Sequence, residues 1–286
     1  MLIYGLGGKN ALIDAIKRQD MDFVTVFNKS LPPAQQHFVR IKMGPAILAS
    51  ENELIAEVSK INGFVVTKSI IRQLQLESPL EEDLMTAVLK LFEKRDNRIS
   101  EAHASVNELS NGYEVYKKSF FLPSPCVRSI LQNTSTAHEV QRIFFNDRHL
   151  DANVSKLYFI DRPPDSDTAW VLYIVDVEEK HVLYLDPRRQ FAHPLSAALQ
   201  MHLNHIQPIF SAFLHILIPA FTGNWSCKLM QEYYFSPPQN EYDYGLYITA
   251  TIFFCCNNVP VFFGPASITQ LRMTLAYWLL IEDLPC

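Results

Sequence analysis

The stretch Asn240-Glu241-Tyr242-Asp243-Tyr244-Gly245-Leu246-Tyr247 joins a polar turn to an apolar segment. Residues 245–256 are apolar almost throughout, which predicts a buried central helix. A strand stays possible because β-branched residues recur in this segment, at Ile248, Thr249, Thr251 and Ile252. Asp243 stands directly before the segment, where its carboxylate could cap the predicted helix.

Three runs upstream of this stretch are rich in apolar residues and predict strands, at residues 157–160, 170–175 and 182–185. A charged, hairpin-like connection joins the second run to the third. Helices are predicted after these strands, at residues 195–206 and 268–280, and before them. Helices, then strands, then helices without strict alternation indicate an α+β fold, with a central mixed sheet flanked by helices.

Capping signals place the helices that precede the strands. Thr67 is the expected N-cap of a helix over residues 68–74, and Ser78-Pro79 is expected to start a second helix. The second helix carries one apolar face, formed by Leu80, Leu84, Val88, Leu91 and Phe92. We expect residues 1–62 to form a separate strand-turn-helix segment and residues 63–286 to form the main domain. Within the first segment, strands are predicted at residues 2–4 and 23–27, and helices at residues 11–17 and 53–60.

Composition excludes several classes of function. The chain has 286 residues, 48% hydrophobic and 19% charged, which is typical of a globular protein. Its net charge of -5 does not favour nucleic acid as a partner. The five cysteines show no regular spacing, so neither a disulfide framework nor a zinc site is expected. No uninterrupted apolar run of about 18 residues and no signal peptide are recognised, so we expect an intracellular protein, nuclear or cytoplasmic, without a membrane segment.

Five segments, taken in order, resemble those of the ubiquitin-like-protein proteases, the SUMO/sentrin-specific cysteine peptidases. They are residues 67–74 with 80–84, residues 153–163, residues 169–176, residues 183–187 and residues 238–245. The family pattern His-Trp-x-Leu-x-x-Ile-Asp matches the segment that begins Ala169-Trp170, and Gln-Pro-Asn-Gly-Tyr-Asp-Cys-Gly matches the segment that ends Tyr244-Gly245. The resemblance covers roughly residues 64–286 and implies the papain-like, adenovirus-protease-like cysteine proteinase fold.

The resemblance also implies that most of the catalytic groups are missing. Such a site needs a nucleophile, a base, an acid that orients the base, and an oxyanion donor. The base position is Ala169, whose methyl group cannot accept a proton. The nucleophile position is Tyr244, a phenol whose reference pKa of about 10 keeps it protonated at neutral pH. The acid is retained as Asp186, although an Asp before Pro is also typical of a turn.

Two further positions complete the comparison. The oxyanion-hole glutamine of the family falls on Pro238, and Gln239 is one residue late, so it could substitute only if the loop shifts its register. Trp170 is expected either in the core or in the wall of the channel that receives a ubiquitin-like tail. Asp243 and Trp170 are therefore candidate binding or supporting residues.

The sequence thus favours a catalytically inactive protein of this fold, a pseudoprotease that acts by binding a protein, with a ubiquitin-like modifier such as SUMO or a scaffold partner as candidates. No cofactor and no metal are expected. One alternative is an active deSUMOylating or ubiquitin-like peptidase with a re-sited centre, using Cys227 as nucleophile and His103 or His138 as base. Another is a mobile-element-derived protease relic.

Overall fold

A computed structural model describes residues 30–47, 49–75, 78–110, 116–132, 137–145, 150, 153–188, 196–219, 223–230, 233–235, 238 and 240–284. In chain order its helices and strands are α1 Pro33–Ile47, β1 Glu57–Ile61, β2 Phe64–Thr67, α2 Lys68–Arg72, α3 Glu82–Ser110, β3 Lys118–Leu122, α4 Ser124–Leu131, α5 Ala137–Phe145, β4 Val154–Asp161, β5 Val171–Asp176, β6 His181–Leu185, α6 Ala197–Leu217, β7 Ser226–Leu229, β8 Tyr233–Phe235, α7 Tyr244–Cys256, β9 Val261–Phe263 and α8 Pro265–Ile281. Two short 3₁₀ turns, Glu51–Glu53 and Glu241–Asp243, complete the description.

The chain divides into two compact units. The first contains the residues up to Leu91 together with those from Gln231 to Leu284, and the second contains those from Phe92 to Met230. The predicted boundary between residues 62 and 63 stays a prediction. In the described part of the chain, no helix combines the length and the apolar character needed to cross a membrane.

The second unit is built on a five-stranded mixed sheet in the order β3-β4-β5-β6-β7. The outer pairs, β3 with β4 and β6 with β7, are parallel, and the inner pairs are antiparallel. Strands β4 and β5 are buried along nearly their whole length, which explains their continuous apolar runs. Helix α6 covers one face, where Phe159 and Phe210 meet edge to face with ring centroids 5.6 Å apart.

The first unit is built around α7, whose residues from Gly245 to Cys255 are all buried. An all-apolar helix has no solvent face, so it is stable only when other elements surround it. Helix α8 and strand β9 supply part of that cover: Phe253 stacks on Trp278 at 5.2 Å, and Tyr247 meets Phe263 at 5.3 Å. The helix prediction for residues 245–256 is therefore confirmed, and the strand alternative is wrong.

Most of the other predicted elements are present. The three predicted strands are β4, β5 and β6, and the mixed sheet flanked by helices confirms the α+β prediction. Thr67 caps α2, because its hydroxyl accepts a hydrogen bond from the backbone N–H of Ile70. The predicted apolar face of α3 is buried, with Leu80 just before the helix.

Several predictions are corrected. Residues 53–60 do not form a helix, because Asn62 (φ 47°) and Gly63 (φ 82°) make a tight turn that pairs β1 with β2. Helix α3 begins at Glu82 rather than at Ser78-Pro79, since the side chain of Gln73 accepts the N–H of Glu81.

Helix α6 is longer than predicted: Ser196 caps it and it continues through Pro208 to Leu217. The elements predicted between residues 2 and 27 lie outside the described residues.

Candidate functional site

The turn before α7 lies in the first unit and is held by local hydrogen bonds. The side-chain oxygen of Asn240 accepts from the N–H of Tyr242 at 2.7 Å and so begins the 3₁₀ turn. Tyr244 is the first residue of α7, at the position predicted for the nucleophile. At Gly245 a Cβ atom would lie 3.0 to 3.2 Å from side-chain atoms of Leu80, so close packing favours glycine there.

Arg272 of α8 fixes this turn. Its side chain is 3% exposed, and its guanidinium donates to the carbonyl of Tyr242 at 2.8 Å and to the carboxylate of Asp243 at 3.0 Å. It also donates to the carbonyls of Gln75 (2.8 Å) and Ser78 (3.0 Å). The buried guanidinium of Arg272 therefore connects helix α8 by hydrogen bonds to the segment before α3 and to the turn before α7.

The predicted capping role of Asp243 is wrong. Asp243 occupies the N-cap position of α7, but its backbone is helical (φ -95°, ψ -6°) and its side chain makes no capping hydrogen bond. The carboxylate is turned to Arg272 instead. This negative charge, after burial, contributes to raising the pKa of Tyr247 to about 12. Gln239, the shifted oxyanion donor, lies outside the described residues.

Ala169 and Trp170 lie in the second unit, directly before β5, and both are fully buried. The N–H of Ala169 donates to the hydroxyl of Ser166 at 3.1 Å, which holds the approach to the strand. The guanidinium of Arg162, just after β4, lies 4.9 Å from the ring centroid of Trp170. This cation–π contact covers part of the aromatic surface.

Asp186, directly after β6, is also fully buried. Its carboxylate accepts from the Nε and the backbone N–H of Arg188 at 3.0 Å each, and from Nη2 of Arg188 at 2.8 Å. The hydroxyl of Tyr184 donates to the same carboxylate at 3.4 Å. The backbone contact two residues on is the side-chain turn expected of an Asp that precedes proline.

Arg188 extends this contact to a third residue. Its Nη1 lies 3.1 Å from the carboxylate of Asp165, so the guanidinium bridges two aspartates. Burial acts to lower the pKa of Arg188, but the hydrogen bonds and charge of Asp186, and then those of Asp165, raise the pKa above its usual value. A guanidinium in this state donates hydrogen bonds and does not accept a proton. Among the described residues, these contacts therefore supply no base beside Asp186.

The structure places the residues of the alternative, re-sited centre on three different elements. Cys227, the alternative nucleophile, lies half-buried on β7, where burial raises the pKa of its thiol to about 12. His103 is exposed on α3 and stacks on Tyr116 with ring centroids 5.2 Å apart. His138 is exposed on α5.

Two histidines, His202 and His205, are three residues apart on α6. His202 packs on Tyr184 with ring centroids 4.9 Å apart. Within the described residues, no three His, Cys, Asp or Glu side chains are grouped so that they could hold a metal ion.

Sequence reasoning proposed Ala169, Asp186 and Tyr244 as site positions, and the structure adds the contacts that Arg188 and Arg272 make near them. A signal for Arg188 is present in Asp186-Pro187-Arg188, because an Asp side chain in a turn accepts the backbone N–H two residues on, which sets Arg188 beside the carboxylate. No comparable local signal exists for Arg272, whose partners lie 29 to 199 residues away in the chain.

Comparison with solved structures identifies the fold. The SUMO protease Ulp1, in a form whose catalytic cysteine is oxidized to a sulfenic acid, matches with a TM-score of 0.63 at 13% identity, over 90% of this chain and 98% of that chain. The C-terminal Ulp1 protease domain in complex with Smt3, the yeast ortholog of SUMO, matches with a TM-score of 0.63 at 14% identity, over 89% and 97%.

The catalytic domain of the Ulp1-like SUMO protease of Chaetomium thermophilum matches with a TM-score of 0.61 at 14% identity, over 90% of this chain and 92% of that chain. No protein-family model and no curated protein sequence matches the chain. At these identities the likeness is one of fold, and it confirms the Ulp1-like fold that the sequence resemblance implied.

Proposed function

We propose that this chain is a catalytically inactive protein with the Ulp1-like fold, and that it acts by binding another protein, with a ubiquitin-like modifier as the candidate partner. The fold likeness over about nine tenths of the chain supports a surface of this kind. The proposal of inactivity rests on the residue types at the aligned positions. Ala169 supplies no base, and Tyr244 supplies no thiolate.

The observation that carries the proposal is the pairing of Asp186 with Arg188. In a hydrolase of this type the acid orients an imidazole, and the imidazole takes the proton of the nucleophile. Here the carboxylate accepts three hydrogen bonds from Arg188, two from its guanidinium and one from its backbone N–H. The retained acid therefore has a structural role that does not depend on catalysis.

The surroundings of Trp170 bear on how a partner would bind. The indole is fully buried, and the guanidinium of Arg162 lies over its ring. A modifier tail that used this ring as a wall would have to displace the covering groups and break the cation–π contact, at a cost of about 0.5–2 kcal/mol for that contact alone. We therefore propose binding through the globular surface of the modifier rather than through its C-terminal tail.

The alternative of a re-sited peptidase centre is weakened by Cys227. A nucleophilic cysteine needs a lowered pKa and access to the substrate, and burial on β7 acts in the opposite direction. No described feature of His103 or His138 offsets this.

Binding can be tested with purified SUMO and ubiquitin, each full-length and with its C-terminal glycines removed, by following the amide spectra of ¹⁵N-labelled modifier during titration. We expect saturable shifts on the globular surface of at least one modifier, with the affinity of its truncated form changed less than about threefold. The truncated modifier is the matched control for tail recognition. Absence of shifts with both modifiers at about millimolar concentration would remove this partner class, and a strict need for the tail would contradict the proposed binding mode.

A further inference from the structure

We infer that Arg188 has taken the place beside Asp186 that an imidazole at residue 169 would need, so that an arginine lock, and not only a missing histidine, holds this half of the site inactive. The arginine lock is defined as the contacts among Asp165, Asp186 and Arg188. The inference rests on the proposed function in one respect, the assignment of Ala169 as the base position.

The first support is the register of the sheet. Strands β5 and β6 are antiparallel, and Leu172 is paired with Leu185 at the end of the ladder. Continued beyond the ladder, this register sets Ala169 opposite Arg188. The hydrogen bonds agree with that placement, because Arg188 contacts Asp165, and the next residue, Ser166, accepts the N–H of Ala169. The small side chain at 169 and the large one at 188 therefore share one corner of the second unit.

The second support is the number of hydrogen bonds that the carboxylate of Asp186 already accepts. An ionised carboxylate has about four acceptor positions. In Asp186, Oδ1 accepts from Nε and the backbone N–H of Arg188, and Oδ2 accepts from Nη2 of Arg188 and the hydroxyl of Tyr184. These four donors fill the carboxylate, so an imidazole N–H would have to displace one of them.

The third support is charge. A fully buried carboxylate requires a compensating cation or several donors. Arg188 supplies both, and its own second carboxylate partner, Asp165, keeps the guanidinium in place. A protonated imidazole brought into the same corner would face the guanidinium as a like charge. Restoring histidine alone would therefore not recreate a histidine–aspartate pair.

The test introduces histidine with and without the lock. Ala169→His, Arg188→Gln and the double variant are prepared, and the titration and tautomer of the new imidazole are followed by long-range ¹H–¹⁵N spectra against the parent histidines. With Arg188 present, we expect the new imidazole to lack a hydrogen bond to Asp186. With Arg188→Gln added, we expect that bond to form and the imidazole to bind its proton at least tenfold more tightly.

Arg128→Gln in the Ala169→His background is the matched control, because Arg128 also pairs with an aspartate, Asp161, at the end of β4. It should leave the titration of the new imidazole unchanged. The inference is overturned if Ala169→His alone already shows a hydrogen-bonded, tightly protonated imidazole, or if the double variant titrates as the single variant does.

If Arg188→Gln does not fold, the single variant still decides the question, since a histidine–aspartate bond in the presence of Arg188 is incompatible with the lock. No substrate is used in these measurements. Detection of peptidase activity in the parent protein would therefore defeat the proposed function without changing the outcome here.

Discussion

Two arginines, Arg272 buried and Arg188 partly buried, hold residues near the predicted catalytic positions. Arg272 donates to four backbone carbonyls and to Asp243, and Arg188 bridges Asp186 and Asp165. Removing one member of a buried pair leaves an uncompensated charge, which typically costs about 3–5 kcal/mol. Each arginine is therefore a structural residue, one beside Asp186 and the other beside the turn that precedes Tyr244.

Gly245 offers a direct test of packing at the start of α7. Gly245→Ala places a methyl group against Leu80, which is itself buried, and overpacking of this kind costs about 1–3 kcal/mol. The higher helix propensity of Ala than of Gly offsets up to about 1 kcal/mol of this cost. We expect a net loss of about 1 kcal/mol or more in the free energy of unfolding, measured by urea denaturation.

Gly264→Ala is the control for that substitution, because Gly264 has extended backbone at the start of α8 and open space around its Cα. The loss of a favourable N-cap and the reduced entropy of the unfolded chain oppose each other, so a change within about 0.5 kcal/mol is expected. Equal effects of the two substitutions would show that the contact with Leu80 does not constrain Gly245.

Among the helices and strands, the sequence predicts the long apolar segments but does not predict the short strands that pair with each other. Helix α7 and strands β4 to β6 follow from their apolar runs, because burial on all sides leaves a continuous signal. Strands β7, β8 and β9 have only three or four residues, and β7 and β9 each pair in parallel with the preceding strand, from which a helix separates them along the chain. Their formation depends on the tertiary fold, which local propensity does not encode.

The candidate site also combines positions that the sequence proposes with contacts that only the structure shows. Ala169, Asp186 and Tyr244 are proposed as site positions from the sequence, because the order and spacing of the motifs resemble the family pattern. The reach of Arg272 to Tyr242 and the commitment of Asp186 to Arg188 depend on how distant segments and side chains fold together. They could be seen only in three dimensions.

Helix α3 contains a buried acid whose protonation should affect stability. Asp96 is 4% exposed, and burial raises its pKa, opposed by hydrogen bonds from the Tyr116 hydroxyl and the Ser119 N–H and by the charges of Lys118 and Arg95. Because the folded pKa lies above the unfolded value of about 3.9, the ionised form destabilises the fold at neutral pH. This penalty disappears as the pH falls through the folded pKa.

We therefore expect the wild-type protein to gain stability relative to Asp96→Asn as the pH is lowered from 7 toward about 4. Asn keeps an acceptor for Tyr116 but has no charge to titrate, so it serves as the reference at every pH. Urea denaturation of both proteins across this range measures the difference. If the wild-type protein instead loses stability relative to Asp96→Asn as the pH falls, the ionised carboxylate stabilises the fold.

At the scale of the whole molecule, the Ulp1-like fold is kept at 13 to 14% identity to the solved proteases. Folds tolerate such divergence when the apolar pattern is preserved, and a shared fold does not carry its chemistry with it. We propose that the scaffold persists while Ala169 and Tyr244 stand in place of the groups that would move a proton and attack a carbonyl.

Covalent capture tests this central claim most directly. The folded protein is incubated with SUMO and ubiquitin that carry a cysteine-reactive electrophile at the C-terminus, and its intact mass is measured. We predict an unchanged mass, because the only thiol proposed as an alternative nucleophile, Cys227, is half-buried with its pKa raised to about 12. A single modifier adduct that forms on the native protein and is abolished by unfolding would contradict the account.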